Sequence, residues 1–293
     1  MSVATEAGTR RGGWRGRRYL VLRRITQVSV LMLFLLGPLA GIWIIRGNLA
    51  SSLVLDTVPL SDPFIVSQSL LAGHLPATDA LLGAALVALF YLLVGGRVFC
   101  SWVCPVNMVT DAAHWLRGKL GLKGRTRISR HARYWLLAAV MALAAATGTL
   151  AWELVNPVSA LQRGIIFGLG SGLFLVLAVF VLDLAVSPRA WCGYLCPMGA
   201  FYSVLGQKSP LRVRASNRAA CDSCMDCFEV CPEPQVIHPA LFGEKNGSGP
   251  VIDDGNCTNC GRCIDVCSKK VFTFGTRFNH NVNMISEQEE ART

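Results

Sequence analysis

The hydrophobic positions gather into four long apolar runs separated by polar loops: Ile25 to Ile45, Thr78 to Gly96, Tyr134 to Val155 and Ile165 to Val186. Each approaches or reaches the roughly 20 helical residues that cross a hydrocarbon core about 30 Å thick. Lipid offers a backbone no hydrogen-bond partners, so runs of this length are expected to be helices. The Gly37-Pro38 pair is expected to kink the first. After about Ser209 the long runs stop and Gly, Asp and Asn enter, densest between Gly243 and Gly255, which predicts short elements and turns. The pattern therefore predicts an all-α membrane domain of four transmembrane helices followed by a small α+β soluble domain. The expected boundaries are a basic arm at 1–24, the membrane domain at 25–208, the soluble domain at 209–276 and a polar tail at 277–293.

Composition agrees: 52% of residues are hydrophobic and only 16% charged, with a mean hydropathy of +0.43, too apolar for a soluble domain of this length. A net charge of +10 would suit a nucleic-acid binder if the basic residues formed one face. They sit instead at the ends of the apolar runs, so no nucleic-acid partner is expected. Arg10, Arg11, Arg15, Arg17, Arg18, Arg23 and Arg24 precede the first run. Arg97, Arg117, Lys119, Lys123, Arg125, Arg127, Arg130 and Arg133 lie between the second and third, and Arg189, Lys208, Arg212, Arg214 and Arg218 follow the fourth. The other two loops carry only Arg46 and Arg163, beside Asp56, Asp62 and Asp79. Because basic residues are retained in the cytoplasm, both termini and the soluble domain are expected there, in a multi-pass protein of a bacterial inner membrane.

The twelve cysteines form four local groups. Two belong to an internal repeat. Arg97-Val-Phe-Cys100-Ser-Trp-Val-Cys104-Pro105 closes the second run, and Arg189-Ala-Trp-Cys192-Gly-Tyr-Leu-Cys196-Pro197 closes the fourth. Asp62-Pro63 and Asn156-Pro157 occupy comparable places on the opposite side, so the four helices read as two repeated hairpins related by a pseudo-twofold axis along the membrane normal. Cys100, Cys104, Cys192 and Cys196 admit three readings: a third metal centre, a pair of dithiol–disulfide couples, or small packing residues in a tight turn. Duplication with arginine and aromatics in register favours a redox or metal role.

The other eight cysteines are more specific. Cys221, Cys224, Cys227 and Cys231, followed by Pro232, give C-x2-C-x2-C-x3-C-P, and Cys257, Cys260, Cys263 and Cys267 repeat the spacing, with Ser268 where the proline would stand. Three closely spaced thiolates bind three corners of an iron-sulfur cubane, while the fourth of each run ligates the other cluster. The expected sets are thus Cys221, Cys224, Cys227 and Cys267 for one [4Fe-4S] cluster and Cys257, Cys260, Cys263 and Cys231 for the other, in a domain of the bacterial two-cluster ferredoxin type. Zinc also accepts four thiolates, but the tripled spacing occurring twice favours clusters.

The string Cys224-Met-Asp-Cys-Phe-Glu-Val-Cys-Pro-Glu-Pro-Gln-Val236, the paired C-x3-C-P motifs and the four apolar runs together resemble the NapH family of membrane ferredoxin-type proteins, from about Arg23 to Phe274. The resemblance implies a quinol dehydrogenase component that passes electrons from membrane quinol toward a periplasmic nitrate reductase. The implied partner is a periplasmic ferredoxin-type protein or a membrane-anchored multihaem cytochrome. Related proteins serve the maturation of nitrous oxide reductase or methylamine dehydrogenase, and an assembly factor of that kind is the alternative. Quinol oxidation needs proton acceptors beside an apolar slot, for which Glu153, Gln68, His74 and Gln162 are the candidates in or near the outer loops.

Overall fold

The computed structural model describes residues 16–122, 128–168, 170 and 172–278. Most of the basic arm, the charged stretch around Arg125 and most of the polar tail lie outside these. The chain divides into two compact units: residues 16–23, 91–101 and 203–278 form one, and 24–90 with 102–202 form the other.

Helix α1 (Arg18–Ala40) has 23 residues and contains Pro38. Among the described residues it is the one helix long and apolar enough to cross a membrane. It starts about two turns before its apolar run and stops before the run does, where Gly41 takes a left-handed conformation (φ 72°). Ile45, expected at the end of this helix, instead opens a small antiparallel sheet of β1 (Ile45–Gly47), β2 (Ser51–Val54) and β3 (Val58–Ser61), with Ile45 opposite Val54 and Ser51 opposite Ser61. Helix α2 (Pro63–Leu71) follows, and then α3 (Thr78–Val94). The sheet packs close to α3 at Gly83, where a β-carbon would lie 2.9 Å from the carbonyl oxygen of Pro59.

The repeat motifs form wide, π-type turns at Phe99–Val103 and Trp191–Leu195. Each ends before its proline, where a new helix begins: α4 (Val106–Lys119) after the first and, further along the chain, α9 (Pro197–Leu205) after the second. On α4 the buried positions are Val106, Thr110, Ala113 and Arg117, spaced to form one face. The Arg117 guanidinium donates to the carbonyl of Leu184.

The third and fourth runs are broken. Helix α5 (Ala132–Thr147) stops at Gly148, which is left-handed at φ 65°, and α6 (Ala151–Leu154) is a single turn. The fourth run is divided between α7 (Pro157–Phe167) and α8 (Gly172–Ala185), with Gly168 at φ 91° in between. Consequently α3, α5 and α8 are apolar but shorter than a full span. Their outward faces carry large apolar side chains, among them Leu86, Phe90, Trp135, Phe174 and Leu177, a pattern foreign to water-facing surfaces.

In the other unit, β4 (Leu211–Ala215) and β5 (Phe272–Thr276) pair antiparallel with Val213 opposite Phe274. They enclose α10 (Asp226–Val230), α11 (Ile237–Phe242) and α12 (Arg262–Val266). Val213, Ile237, Leu241, Ile252, Ile264 and Phe272 form its core together with Cys227 and Cys263. The first turn of α1 is anchored here: the Asp265 carboxylate accepts the amides of Tyr19 at 3.2 Å and Leu20 at 3.1 Å, capping orphan donors at the helix start. Tyr19 packs edge-on to Phe274 with ring centroids 5.3 Å apart.

Candidate functional site

The eight clustered cysteines line two cavities. Cys221, Cys224 and Cys227 share the first with Cys267, and Cys257, Cys260 and Cys263 share the second with Cys231. The crossing has a local cause. Helices α10 and α12 are five-residue turns, and the cysteine after each leaves in an extended conformation, Cys231 at ψ 130° and Cys267 at ψ 108°.

Between the first three cysteines of each run the backbone alternates into the left-handed region at matching places. Ser223 (φ 57°) corresponds to Asn259 (φ 46°), and Met225 (φ 64°) to Gly261 (φ 72°). Alternation of this kind makes the concave arrays of amides that hold anionic groups, iron-sulfur clusters included. Met225 shows that a side chain can take this conformation, but at Gly261 a β-carbon would sit 2.5 Å from the Tyr19 ring, so packing there favours glycine. Asn259 fastens its loop by donating from Nδ2 to the carbonyls of Val94 and Leu211, each at 3.0 Å.

The thiols influence one another mainly within the same sets. Burial pushes the Cys227 thiol up to about 12, reinforced by Cys267, Cys221 and Cys224. Cys257 rises to about 11, chiefly through burial. Cys263 also rises well above the ordinary thiol range, through burial and then Cys260, Cys231 and Cys257, with Cys227 of the other set adding last. Cys260 is equally penalised by burial, but Arg23 and Arg262 outweigh it and draw its pKa down. Four thiolates in one apolar cavity repel, and a polynuclear iron centre is the cation that relieves that repulsion. Among the described residues no group of three His, Cys, Asp or Glu side chains is placed to hold a single metal ion. Zinc would need its sulfurs only about 3.8 Å apart, given Zn–S bonds near 2.3 Å. Thiols spread around a cavity suit a cubane instead.

Buried arginines flank the second cavity. Arg97 donates to Glu233 at 2.6 Å and to the Asn256 carbonyl at 3.0 Å, with both side chains of the pair at most 2% exposed. Arg212, also buried, holds the carbonyls of Ser209, Gln207 and Asp254. Cys257 feels both guanidinium groups.

In the second unit, Arg189 takes the place in its motif that Arg97 takes in the first, and lies 3.4 Å from Asp111. Arg24 is also ion-paired with Asp111. Cys192 lies 4.0 Å from the Thr110 hydroxyl, and the Cys196 sulfur accepts the Gly199 amide at 3.4 Å. Cys104 is buried and Cys100 is half-buried. The Asp183 carboxylate accepts the Trp191 amide at 2.9 Å and so fixes the start of the second π-type turn.

Elsewhere in this unit Asp62 caps α2 by accepting the Phe64 amide at 2.9 Å, and the Tyr202 hydroxyl donates to the same oxygen at 3.1 Å. Burial raises the Asp62 carboxyl to about 7, against the Phe64 and Tyr202 hydrogen bonds, and Glu153 adds a small upward push. Phe64 packs on Trp152 and Phe201, and Trp152 stacks on Trp191 at 6.3 Å and 17°.

Comparison with known proteins now decides the family. Residues 76–123 and 169–217, which contain the two repeat motifs, each match the family described as 4Fe-4S binding domain, and 220–271 match the 4Fe-4S dicluster domain. The ferredoxin-type protein NapH of Haemophilus influenzae is 50% identical over 270 residues, covering 92% of this chain and 94% of that protein. NapH of Escherichia coli is 50% identical over 275 residues, covering 94% and 95%. The methylamine utilization ferredoxin-type protein MauN of Paracoccus denitrificans is 55% identical over 277 residues, covering 94% and 97%. The chain belongs to the NapH and MauN family of ferredoxin-type proteins. It is an iron-sulfur electron-transfer protein of the NapH type. No solved structure matches it.

For a NapH-type chain, the quinol candidates chosen from sequence separate into two kinds. Gln68 and Gln162 are buried, whereas His74 is exposed and engaged with the Gly148 carbonyl at 2.9 Å. Glu153 is tied to Asn156 at 3.1 Å and to Arg163 at 3.2 Å. Asp62 and Tyr202 were not among the sequence candidates. The signal for Asp62 was present in the repeated acidic or amide residue before proline.

Proposed function

We propose that this protein holds two [4Fe-4S] clusters, one on Cys221, Cys224, Cys227 and Cys267 and the other on Cys257, Cys260, Cys263 and Cys231. Through them it passes electrons from membrane quinol toward a periplasmic nitrate reductase. The observation that carries the reading is the lining of the two cavities, each by three cysteines of one run and the last of the other. When bound, the clusters supply one-electron carriers. The chain supplies the thiolates, the left-handed loops that turn amides inward and the apolar walls that exclude water.

The membrane domain in this reading crosses the bilayer four times, by α1, α3, α5 and α8, with the iron-sulfur unit and both termini in the cytoplasm. The distribution of Lys and Arg among the loops and the apolar outward faces of these helices support it. Shorter helices are accommodated by local thinning of the bilayer. A periplasmic ferredoxin-type protein or a membrane-anchored multihaem cytochrome would receive the electrons. The test is to reduce anaerobically purified protein with duroquinol and follow the iron-sulfur absorbance. Bleaching by duroquinol is expected; protein that bleaches with dithionite and not with duroquinol would refute the quinol donor.

A second reading has a specific observation behind it, the 55% identity with a protein named for methylamine utilization. There the same electron path would serve the maturation of an amine dehydrogenase. Deleting the gene and measuring growth on nitrate and on methylamine separates the two by which growth is lost.

A further inference from the structure

The repeat extends further than its cysteines. Asp62-Pro63 is followed by Gln68 and Asn156-Pro157 by Gln162, each glutamine six residues after the capping residue. Asn156 caps α7 as Asp62 caps α2, accepting the Val158 amide at 3.1 Å. Asparagine is thus sufficient for the cap, and the fold does not require a carboxylate at position 62. Yet Asp62 is 4% exposed and its second oxygen, Oδ2, has no partner within the protein. An unpaired carboxylate in such a place is a liability that a fold would not keep for its own sake.

Other buried polar atoms in this unit are in the same state, and among them are Oε1 of Gln68, Nε2 of Gln162 and Nε1 of Trp152. Gln68 lies one helical turn beyond Phe64, on the buried face that meets Trp152. Gln162 is linked to Asp62 through the loop between β1 and β2: Leu49 donates to Gln162 Oε1 at 2.9 Å, and the Asp62 amide donates to the Ala50 carbonyl at 2.8 Å. Two unpartnered acceptors and two unpartnered donors are therefore buried in this unit, those of Gln68 and Trp152 near the Phe64 ring and that of Gln162 linked to Asp62 through the loop.

We infer that Asp62, Gln68, Trp152 and Gln162 form the binding site of a hydroquinone headgroup, with Tyr202 positioning Asp62. A hydroquinone ring has hydroxyl groups at opposite ends that donate to acceptors such as Asp62 Oδ2 and Gln68 Oε1. Its oxidised form has carbonyls that accept from donors such as Trp152 Nε1 and Gln162 Nε2, so the set suits both redox forms. The Trp152 and Phe64 rings offer the flat apolar surface that the headgroup needs. This assignment rests on the quinol-donor reading above and locates its site.

The test measures duroquinol binding to the full-length holoprotein in detergent by calorimetry, alongside the rate at which duroquinol bleaches the clusters. Asp62→Asn should fold, since Asn156 performs the same cap, and should keep the iron-sulfur absorbance and its bleaching by dithionite. Its duroquinol dissociation constant is expected to rise at least tenfold, and Gln68→Leu should weaken binding severalfold. If wild-type protein binds duroquinol without being bleached, the donor reading fails and the site stands. If both variants bind and bleach as wild type does, the site is overturned and the donor reading stands. Absence of duroquinol binding by the wild type overturns the site as well.

Discussion

The two cysteine cavities are built from the same loop, C-x-x-C-x-x-C with left-handed residues at matching positions, yet their surroundings are opposite. The first opens to solvent at Cys224 and at Met225, which is 52% exposed, and carries Asp222 and Asp226 on its wall. The second is bounded by Thr258, Glu233 and Arg262, and has Arg23, Arg97 and Arg212 buried close by. Duplication supplied the ligand geometry twice, and the sequence between and around the ligands then set two electrostatic environments. Reduction adds a negative charge to a cluster, so the arginine-flanked site holds the electron more tightly. Its reduction potential is expected to lie above that of the first.

The largest effect is expected from the ligands themselves. Cys263→Ala should remove the second cluster and lower the iron content from about eight to about four per chain, measured by metal analysis after anaerobic purification. Retention of full iron would break the assignment of that cavity.

Next is the buried pair beside the second cavity. Arg97→Met leaves the Glu233 carboxylate buried opposite an uncharged side chain, which typically costs about 3–5 kcal/mol. The double variant Arg97→Met with Glu233→Leu should recover much of it. The denaturant midpoint of cluster loss reads both. The first cluster should be lost together with the second only if the unit unfolds as a whole.

Arg23 separates electrostatics from folding more cleanly. A unit charge about 8 Å away at an effective dielectric near 20 is worth about 2 kcal/mol, or about 90 mV for a one-electron couple. Arg23→Gln should lower the potential of the second cluster by an amount of that order and leave the first nearly unchanged. The smallest effect is expected at Asp222 and Asp226. Asp222 is exposed, so water screens its charge. Asp222→Asn should raise the first potential by much less than Arg23→Gln lowers the second. Equal shifts from Arg23→Gln and Asp222→Asn would contradict the contrast between a buried and a solvated site.

How much of this was legible from sequence depended on whether the signal was local. The thiol sets were readable because cluster ligation imposes a spacing, and the crossing of Cys231 and Cys267 follows from that spacing. The breaks in the apolar runs were missed at Gly148 and Gly168, where glycine in a hydrophobic run looks like one more small residue, although its positive φ ends a helix. The sheet from Ile45 to Ser61 was missed because its strands are three or four residues long, too short for alternation to register. The arginine environment of the second cavity was also hidden. Arg23, Arg97 and Arg212 are far apart in the chain, and charge bias at membrane edges already accounted for them.

The most direct test of two crossed clusters in unlike surroundings is an EPR-monitored redox titration of the anaerobically purified protein. Two one-electron waves are predicted, with the upper one alone moving down in Arg23→Gln and absent in Cys263→Ala. A single wave in the wild type, or loss of both waves in a Cys263→Ala protein that still carries about four irons, would contradict the account.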